Sequence, residues 1–276
     1  MFKHKVIWIT GASSGIGEAL ALEFTQRGSK LILSARREEA LDAVKEKCVS
    51  AGAQPEDIMV LPMDLTDEEN MAAKVISAKS FTGRIDMLIN NAGISQRSLF
   101  VDTQMSTFRK LFEVDVFGQI ALSKYVVPIM IQQGGGYIAV TSSVAGKIGV
   151  PFRTGYCAAK HAVMGFFDAL RAEVTQHNIK VTTITPGFIR TNISKNALRG
   201  DGSSFDTQDT SIAGGMEVGP CAKVIMRGFE KGTPEIAVGK GLEMHFLWIK
   251  RLFPSLAFKL IAGQFQKMAK SNQLDK

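Results

Sequence analysis

The chain has 276 residues, 45% of them hydrophobic and 21% charged, and a formal net charge of +7. One large α/β sheet accommodates that length as readily as two domains do, and no Pro/Ser-rich spacer, low-complexity run or internal repeat marks a boundary. Seven basic and two acidic residues between positions 240 and 276 carry +5 of the +7, so the first 239 residues are nearly neutral and no nucleic-acid face is expected on the main fold.

Strand and helix signals alternate along the chain. Lys5–Thr10 reads as a strand, followed by a turn with Gly11, Gly15 and Gly17 and a helix over Glu18–Arg27. Leu31–Ser34 is the second strand, Glu38–Ser50 a helix, Asp57–Leu61 the third strand and Asp67–Ala78 a helix. Asp86–Asn90 is the fourth strand, Gln104–Gln133 a long helix and Gly136–Thr141 the fifth strand. A helix carrying Tyr156 and Lys160 runs to about His177, Lys180–Thr185 is the sixth strand and Glu235–Val238 the seventh. Such alternation implies parallel strands covered by helices on both faces, with ligands at the carboxyl ends of the strands.

Cys48, Cys157 and Cys221 show neither metal-ligand spacing nor an even-numbered disulfide framework. The four histidines are scattered, so no metal site is expected. Met1-Phe-Lys-His-Lys5 leads directly into the first strand and leaves no room for a signal peptide. No uninterrupted apolar run approaches the ~18 residues that span a bilayer. The expectation is a cytoplasmic protein whose membrane contact, if any, is peripheral.

The chemistry is carried by Tyr156 and Lys160. Four residues are about one helical turn, so phenol and ammonium share a helix face. Of the three tyrosines only Tyr156 has lysine at that spacing. A free phenol titrates near ~10, and a neighbouring cation favours the phenolate, towards the range useful for acid–base catalysis. The glycine-rich turn after the first strand lets backbone approach a pyrophosphate, which the amides and positive end of the following helix attract. Its spacing is Gly-x-x-x-Gly-x-Gly, unlike the usual dinucleotide fingerprint, and an ordinary strand-to-helix turn is the alternative.

Together with Asn90-Asn-Ala-Gly93, Ser142-Ser143 and Pro186-Gly187 with Thr191, the motifs Thr10-Gly-Ala-Ser-Ser-Gly-Ile-Gly17 and Tyr156-x-x-x-Lys160 resemble those of the short-chain dehydrogenase/reductase family, in its order and over roughly residues 5 to 240. The branch that includes the 11-beta-hydroxysteroid dehydrogenases and related carbonyl reductases is the most similar. The resemblance implies a Rossmann-like doubly wound parallel sheet of about seven strands. Residues 1–240 would form the dinucleotide-binding and catalytic domain, with 241–276 an amphipathic basic extension of it. It also implies an NADP(H)-dependent enzyme interconverting a ketone or aldehyde with an alcohol, acting as a homodimer or homotetramer. The alternatives are a membrane-surface reductase of lipid-like or steroid-like carbonyls and a catalytically weak NADPH sensor acting through a partner.

By that resemblance Gly11, Ser13, Ser14, Gly15, Ile16 and Gly17 hold the pyrophosphate side of the cofactor. Ala35 stands where NAD-binding members carry an acid, and Arg36 and Arg37 follow, which suits a 2′-phosphate because a guanidinium donates two parallel hydrogen bonds. Ser34 could add a hydroxyl contact. Asp64, with Leu65, matches the adenine-contacting position, although a turn or helix-capping aspartate fits equally. Asn91, Ala92 and Gly93 should line the cofactor. Pro186, Gly187 and Thr191 match the segment over the nicotinamide.

Ser143 lies thirteen residues before Tyr156, the family's separation, and is preferred over Ser142. It would bind the substrate oxygen while Tyr156 gives the proton and Lys160 holds the ribose and lowers the tyrosine's pKa. The long helix carries Asp115 where the family usually has asparagine, which bears on the proton relay. Asn192–Gly215 reads as a mobile lid or a variable surface loop. Val144–Thr154, with Ile148, Val150, Phe152 and Arg153, should wall an apolar substrate pocket.

In the tail, Pro254 should divide two helical pieces. Ala257, Leu260, Ile261, Phe265 and Met268 share one face of the second, opposite Lys259, Lys267 and Lys270. That face either docks on protein or, with Phe253, Phe258 and Phe265 at the acyl boundary, forms an interfacial helix on anionic lipid.

Overall fold

The computed structural model describes residues 1–270, with side chains through Lys267. The Met268 and Lys270 side chains, predicted on opposite faces of the tail helix, and the charges of Asp275 and Lys276 lie outside what is described.

Seven parallel strands form one sheet in the order β3-β2-β1-β4-β5-β6-β7. They are β1 (Val6–Thr10), β2 (Lys30–Ser34), β3 (Ile58–Val60), β4 (Met87–Asn90), β5 (Gly136–Thr141), β6 (Ile179–Pro186) and β7 (Glu235–Val238). Strands buried on both faces need apolar residues throughout, and all five residues of β1 are buried, Trp8 completely. On one face α1 (Gly15–Thr25), α2 (Glu38–Ser50) and α8 (Val218–Lys231) cover a core containing Ile9, Leu20, Phe24, Leu33, Val44 and Phe229. On the other, α3 (Glu68–Ser80), α5 (Gly118–Gln132) and α6 (Thr154–Val174) cover Trp8, Ile32, Leu88, Leu122, Ile138 and Phe167.

Asp86 falls just before β4, and its carboxylate accepts the Val6 N–H at 3.0 Å and pairs with Lys5 at 3.0 Å and Arg84 at 2.6 Å. The predicted long helix is α4 (Met105–Phe112) continued into α5 through a π-turn at Glu113–Phe117. Length and composition would let Met105–Gln132 cross a membrane. Here it is a core helix, with Leu111, Leu122, Val126 and Met130 fully buried. The expected lid contains the short helix α7 (Thr210–Ala213), capped by the Asp209 side chain.

The tail forms α9 (Leu242–Leu252) and α10 (Pro254–Lys270), divided at Phe253 as Pro254 predicts. Ala257 is completely buried, and the Phe265 ring packs 5.5 Å from that of Phe152. Leu260, placed on the same face by periodicity, is 45% exposed, and Phe265 turns towards the domain instead of outwards with Phe253 and Phe258.

Candidate active site

The glycine-rich turn leaves β1 beside the end of β4, where the strand order reverses and a doubly wound sheet opens a crevice. Gly11 has φ +63°, and a Cβ there would lie 2.8 Å from the Ala92 Cα. A Cβ on Gly17 would collide with the Gly11 carbonyl oxygen. Both positions therefore demand glycine, and the neighbour that demands it is the protein's own backbone. Ser14 caps α1 with extended backbone and no side-chain hydrogen bond. No hydrogen bond within the described residues occupies the Ser13 or Ser14 hydroxyl, and the first amides of α1 open into a cleft of about 470 Å³ lined by Ser14, Gly15, Thr191 and Asn192. Such unused donors at a helix N-terminus fit a pyrophosphate. Ile16 is half-buried against the core beneath.

Asn91 is a strap. Its amide donates to the Thr10 and Gly11 carbonyls at 3.2 and 3.4 Å, and its side-chain oxygen accepts from the Thr141 hydroxyl at 3.1 Å. Only backbone there, with Ala92 and Gly93, is left to face a ligand. Arg36 and Arg37 are exposed beyond β2 and have no protein partner within the described residues, so both guanidiniums are available to an anion. The Ser34 side chain corrects the expectation: it is fully buried and accepts the Trp8 indole N–H at 2.9 Å, so it faces the core. One Asp64 oxygen accepts the Thr66 amide and hydroxyl at 2.9 and 2.8 Å in a turn, leaving the other outward. The Leu65 side chain is buried, with only backbone towards the cleft.

Ser143, Tyr156, Lys160 and Asp115 converge. The Ser142 hydroxyl, 3% exposed, donates to the Lys160 carbonyl at 3.0 Å, whereas Ser143 is half-buried and accepts the Ala145 amide at 3.1 Å. Ser142 thus anchors the helix, and Ser143 is the hydroxyl beside Tyr156. Lys160 lies 5.6 Å from the Tyr156 ring centre and donates to the Thr141 carbonyl at 3.2 Å. Its ammonium is 3.2 Å from Asp115 Oδ2, a charge contact without hydrogen-bond alignment. Asp115 is completely buried on the π-turn, and its Oδ1 accepts the Ile94 amide at 2.7 Å. Gly93 roofs the pair: a Cβ there would sit 3.1 Å from Lys160 Nζ and 3.2 Å from Asp115 Oδ1. π-turns recur at functional sites.

At Tyr156 and Asp115 burial outweighs attraction. It holds the Tyr156 phenol above its ordinary value; Lys160 and Ser143 pull it down and Asp115 pushes it up. The sequence predicts a net lowering by Lys160, so the net direction is a correction, caused first by desolvation and then by the aspartate on the lysine's other side. Lys160 is held above its ordinary value against burial by Asp115 and Tyr156, and burial raises Asp115 against the lysine's attraction. The arrangement presents a protonated phenol, a hydroxyl beside it and a buried ammonium behind.

Pro186 ends β6, and the Gly187 amide donates to the Val238 carbonyl at 2.8 Å. The next amide, of Phe188, donates to Glu243 at 3.2 Å, so the first turn of α9 is clamped to this segment. The Asn192–Gly215 segment is tied across the rim, where Asp209 pairs with Arg97 at 2.8 Å and Arg153 at 2.9 Å. Sequence reasoning does not find Gln96. Its side-chain oxygen accepts the Gly155 and Tyr156 amides at 2.7 and 3.4 Å, fixing the first turn of α6 from about sixty residues away. No local pattern signals it.

The sequence profile described as short chain dehydrogenase matches residues 5–201. The chain is 37% identical over 272 residues to dehydrogenase/reductase SDR family member 7B of Bos taurus, covering 98% of this chain and 84% of that protein. It is 40% identical over 247 residues to dehydrogenase/reductase SDR family member 7 of Homo sapiens, covering 88% and 73%. The solved structure of a 7 alpha-hydroxysteroid dehydrogenase complexed with NADH and 7-oxo glycochenodeoxycholic acid superposes with TM-score 0.66 and 31% identity, covering 69% of this chain and 73% of that one. With a profile match across most of its length and the family's motifs gathered in one cleft, the chain belongs to the short-chain dehydrogenase/reductase family, oxidoreductases that act between CH–OH and C=O with a nicotinamide cofactor.

Proposed function

We propose that the protein is an NADP(H)-dependent oxidoreductase that interconverts an apolar ketone or aldehyde with its alcohol at Ser143 and Tyr156, working as a homo-oligomer. The observation that carries this reading is the buried, protonated Tyr156 phenol between the Ser143 hydroxyl and the Lys160 ammonium. A nicotinamide cofactor, when bound, would supply the hydride for the carbonyl carbon or take it from the alcohol. Ser143 donates to the carbonyl oxygen and stabilises the charge that develops there. Tyr156 delivers its phenolic proton to the same oxygen, so one hydride and one proton make the alcohol; oxidation runs the transfers backwards. Lys160 holds the ribose and steadies the phenolate left behind, and Asp115 positions Lys160. The Ala35 gap and the Arg36 and Arg37 guanidiniums, which have no partner within the described residues, favour the 2′-phosphorylated cofactor. Loss of NADPH absorbance with a panel of apolar carbonyls tests the reading, with NADH, and alcohols plus NADP, alongside. We expect turnover of at least one carbonyl and faster turnover with NADPH. Tight NADPH binding with no turnover of any compound would leave the sensor.

A second observation favours a location at the membrane periphery. Trp248, Leu252, Phe253, Leu256 and Phe258 are 69, 63, 61, 49 and 57% exposed, with Lys250, Arg251 and Lys259 beside them in α9 and α10. An apolar outer face flanked by cations suits an anionic lipid surface. Sedimentation with anionic vesicles should carry the protein down, less at high salt because exposed attraction is screened within about 8–10 Å at ordinary ionic strength. Paired Trp248→Ser and Phe253→Ser changes should reduce it. Protein that stays in solution even at low salt would make this face a docking surface for protein.

A further inference from the structure

The segment that leads from β6 into the cofactor cleft is held by a side chain from the C-terminal extension. The Phe188 amide donates to Glu243 Oε1 at 3.2 Å, and the same oxygen accepts the Gly241 amide at 3.3 Å. Glu243 is half-buried and pairs with no cation among the described residues. The matching family profile ends at residue 201, whereas Glu243 stands in the first turn of α9. We propose that Glu243 is a positioning residue for the cofactor, fixing the Pro186–Thr191 segment and with it the nicotinamide. The proposal rests on a nicotinamide cofactor in this cleft and not on which carbonyl is reduced.

Three observations carry it. The fold makes room for this turn of α9. A Cβ on Gly187 would lie 2.6 Å from Glu243 Oε1 and 2.9 Å from Met244 Sδ. One on Gly239 would lie 2.6 Å from Met244 Sδ, and one on Gly241 would collide with the Glu243 carboxylate. None of the three has positive φ, so their missing side chains serve space and not backbone conformation. They form a socket for Glu243 and Met244.

The segment also joins that socket to the cleft. The Phe188 carbonyl and the Arg190 amide bond Met216 at 2.8 Å each, and Thr191 lines the cleft with Ser14 and Gly15. The Thr191 Cγ2 lies 3.1 Å from where a Cβ on Gly15, the first residue of α1, would sit. Finally, in such parallel pairing the residue between two bonded neighbours turns its own N–H and C=O to the other edge. That residue is Ile189, and neither group has a partner among the described residues. Buried backbone groups are nearly always paired, and a nicotinamide carboxamide, both donor and acceptor, can meet such a pair. Without Glu243 the Phe188 amide would turn to seek another acceptor and carry Ile189 with it.

The test uses the full-length protein and three variants. Glu243→Ala removes the acceptor, Glu243→Gln keeps an acceptor oxygen, and Gly241→Ala displaces the carboxylate while leaving Glu243 in the chain. In cofactor-free Glu243→Ala, hydrogen exchange of the peptide over residues 187–192 should quicken about tenfold, the scale of one lost hydrogen bond to a charged group. NADPH and NADH, followed by nicotinamide fluorescence, should both weaken about tenfold, unlike a loss at Arg36, which affects the phosphorylated cofactor alone. With a carbonyl that turns over, the isotope effect from deuterium at the nicotinamide C4 should grow as hydride transfer slows. Glu243→Gln should restore most of each property, and Gly241→Ala should reproduce the losses. Melting temperature checks that each variant is folded, and if Glu243→Ala does not fold, Gly241→Ala carries the test. Unchanged cofactor affinity in the folded variants overturns the proposal, as does unchanged exchange. So does a glutamine variant that regains the melting temperature but not the affinity. A wild type that binds NADPH but turns over no carbonyl would instead remove the reductase reading, leaving exchange and affinity to decide the role of Glu243.

Discussion

Tyr156→Phe is expected to reduce turnover by about 10²–10⁴-fold, the contribution of a positioned general acid or base, while NADPH affinity by nicotinamide fluorescence stays near the wild-type value. The ring keeps its packing against Ala145, Cys157 and Val150 and its place 5.6 Å from Lys160, so the variant removes the transferable proton and little else. Activity above about a tenth of wild type would falsify the role. The pH profile extends the test to Asp115. Four groups face the phenol: Lys160 on α6, Asp115 on the π-turn, Ser143 after β5 and Arg153 before α6. Of these only Asp115 pushes the phenol up. Carbonyl reduction needs the phenol protonated, so its rate falls as pH rises through the phenol's pKa. Asp115→Asn should therefore move that falling limb to lower pH, and move the rising limb of alcohol oxidation the same way. Limbs that stay in place would leave the Asp115 side chain a packing residue.

Arg36→Ala is expected to weaken NADPH binding roughly ten- to a hundredfold, as follows from losing a charge-assisted hydrogen bond of about 1.5–3 kcal/mol, and to leave NADH nearly unaffected. The guanidinium is exposed and has no protein partner within the described residues, so its loss breaks no contact of the folded chain. A change confined to the phosphorylated cofactor is thus attributable to the 2′-phosphate. Equal weakening of both, or a wild type that prefers NADH, would refute this.

The seven strands, the glycine turn and the Tyr156–Lys160 face were legible because each depends on local spacing. A four-residue step sets two side chains on one helix face whatever surrounds them. What the sequence hid depends on distant partners. Ser34 turns inward because Trp8, on the adjacent strand, offers an indole N–H at 2.9 Å. The charge that separates Asp115 from asparagine matters here because Lys160 lies beside it, and the π-turn beneath it has no compositional mark. Gln96 lacks any periodic signature because it serves amides about sixty residues further on. Phe265 could not be assigned to the inner or outer side of α10 without Phe152, its partner.

The position of β1 has a consequence for how the chain is made. β1 pairs with β2 on one side and with β4 on the other, and the Asn91 backbone amide donates to the Thr10 hydroxyl across a separation of 81 residues. During synthesis β1 therefore waits with an open edge while some eighty further residues emerge, and open edges invite pairing with other chains. The cleft cannot exist before β4 docks, so no cofactor can stabilise the early chain. Pairing across such separations is slow, and nascent chains interrupted before Asn90 should depend most on chaperones.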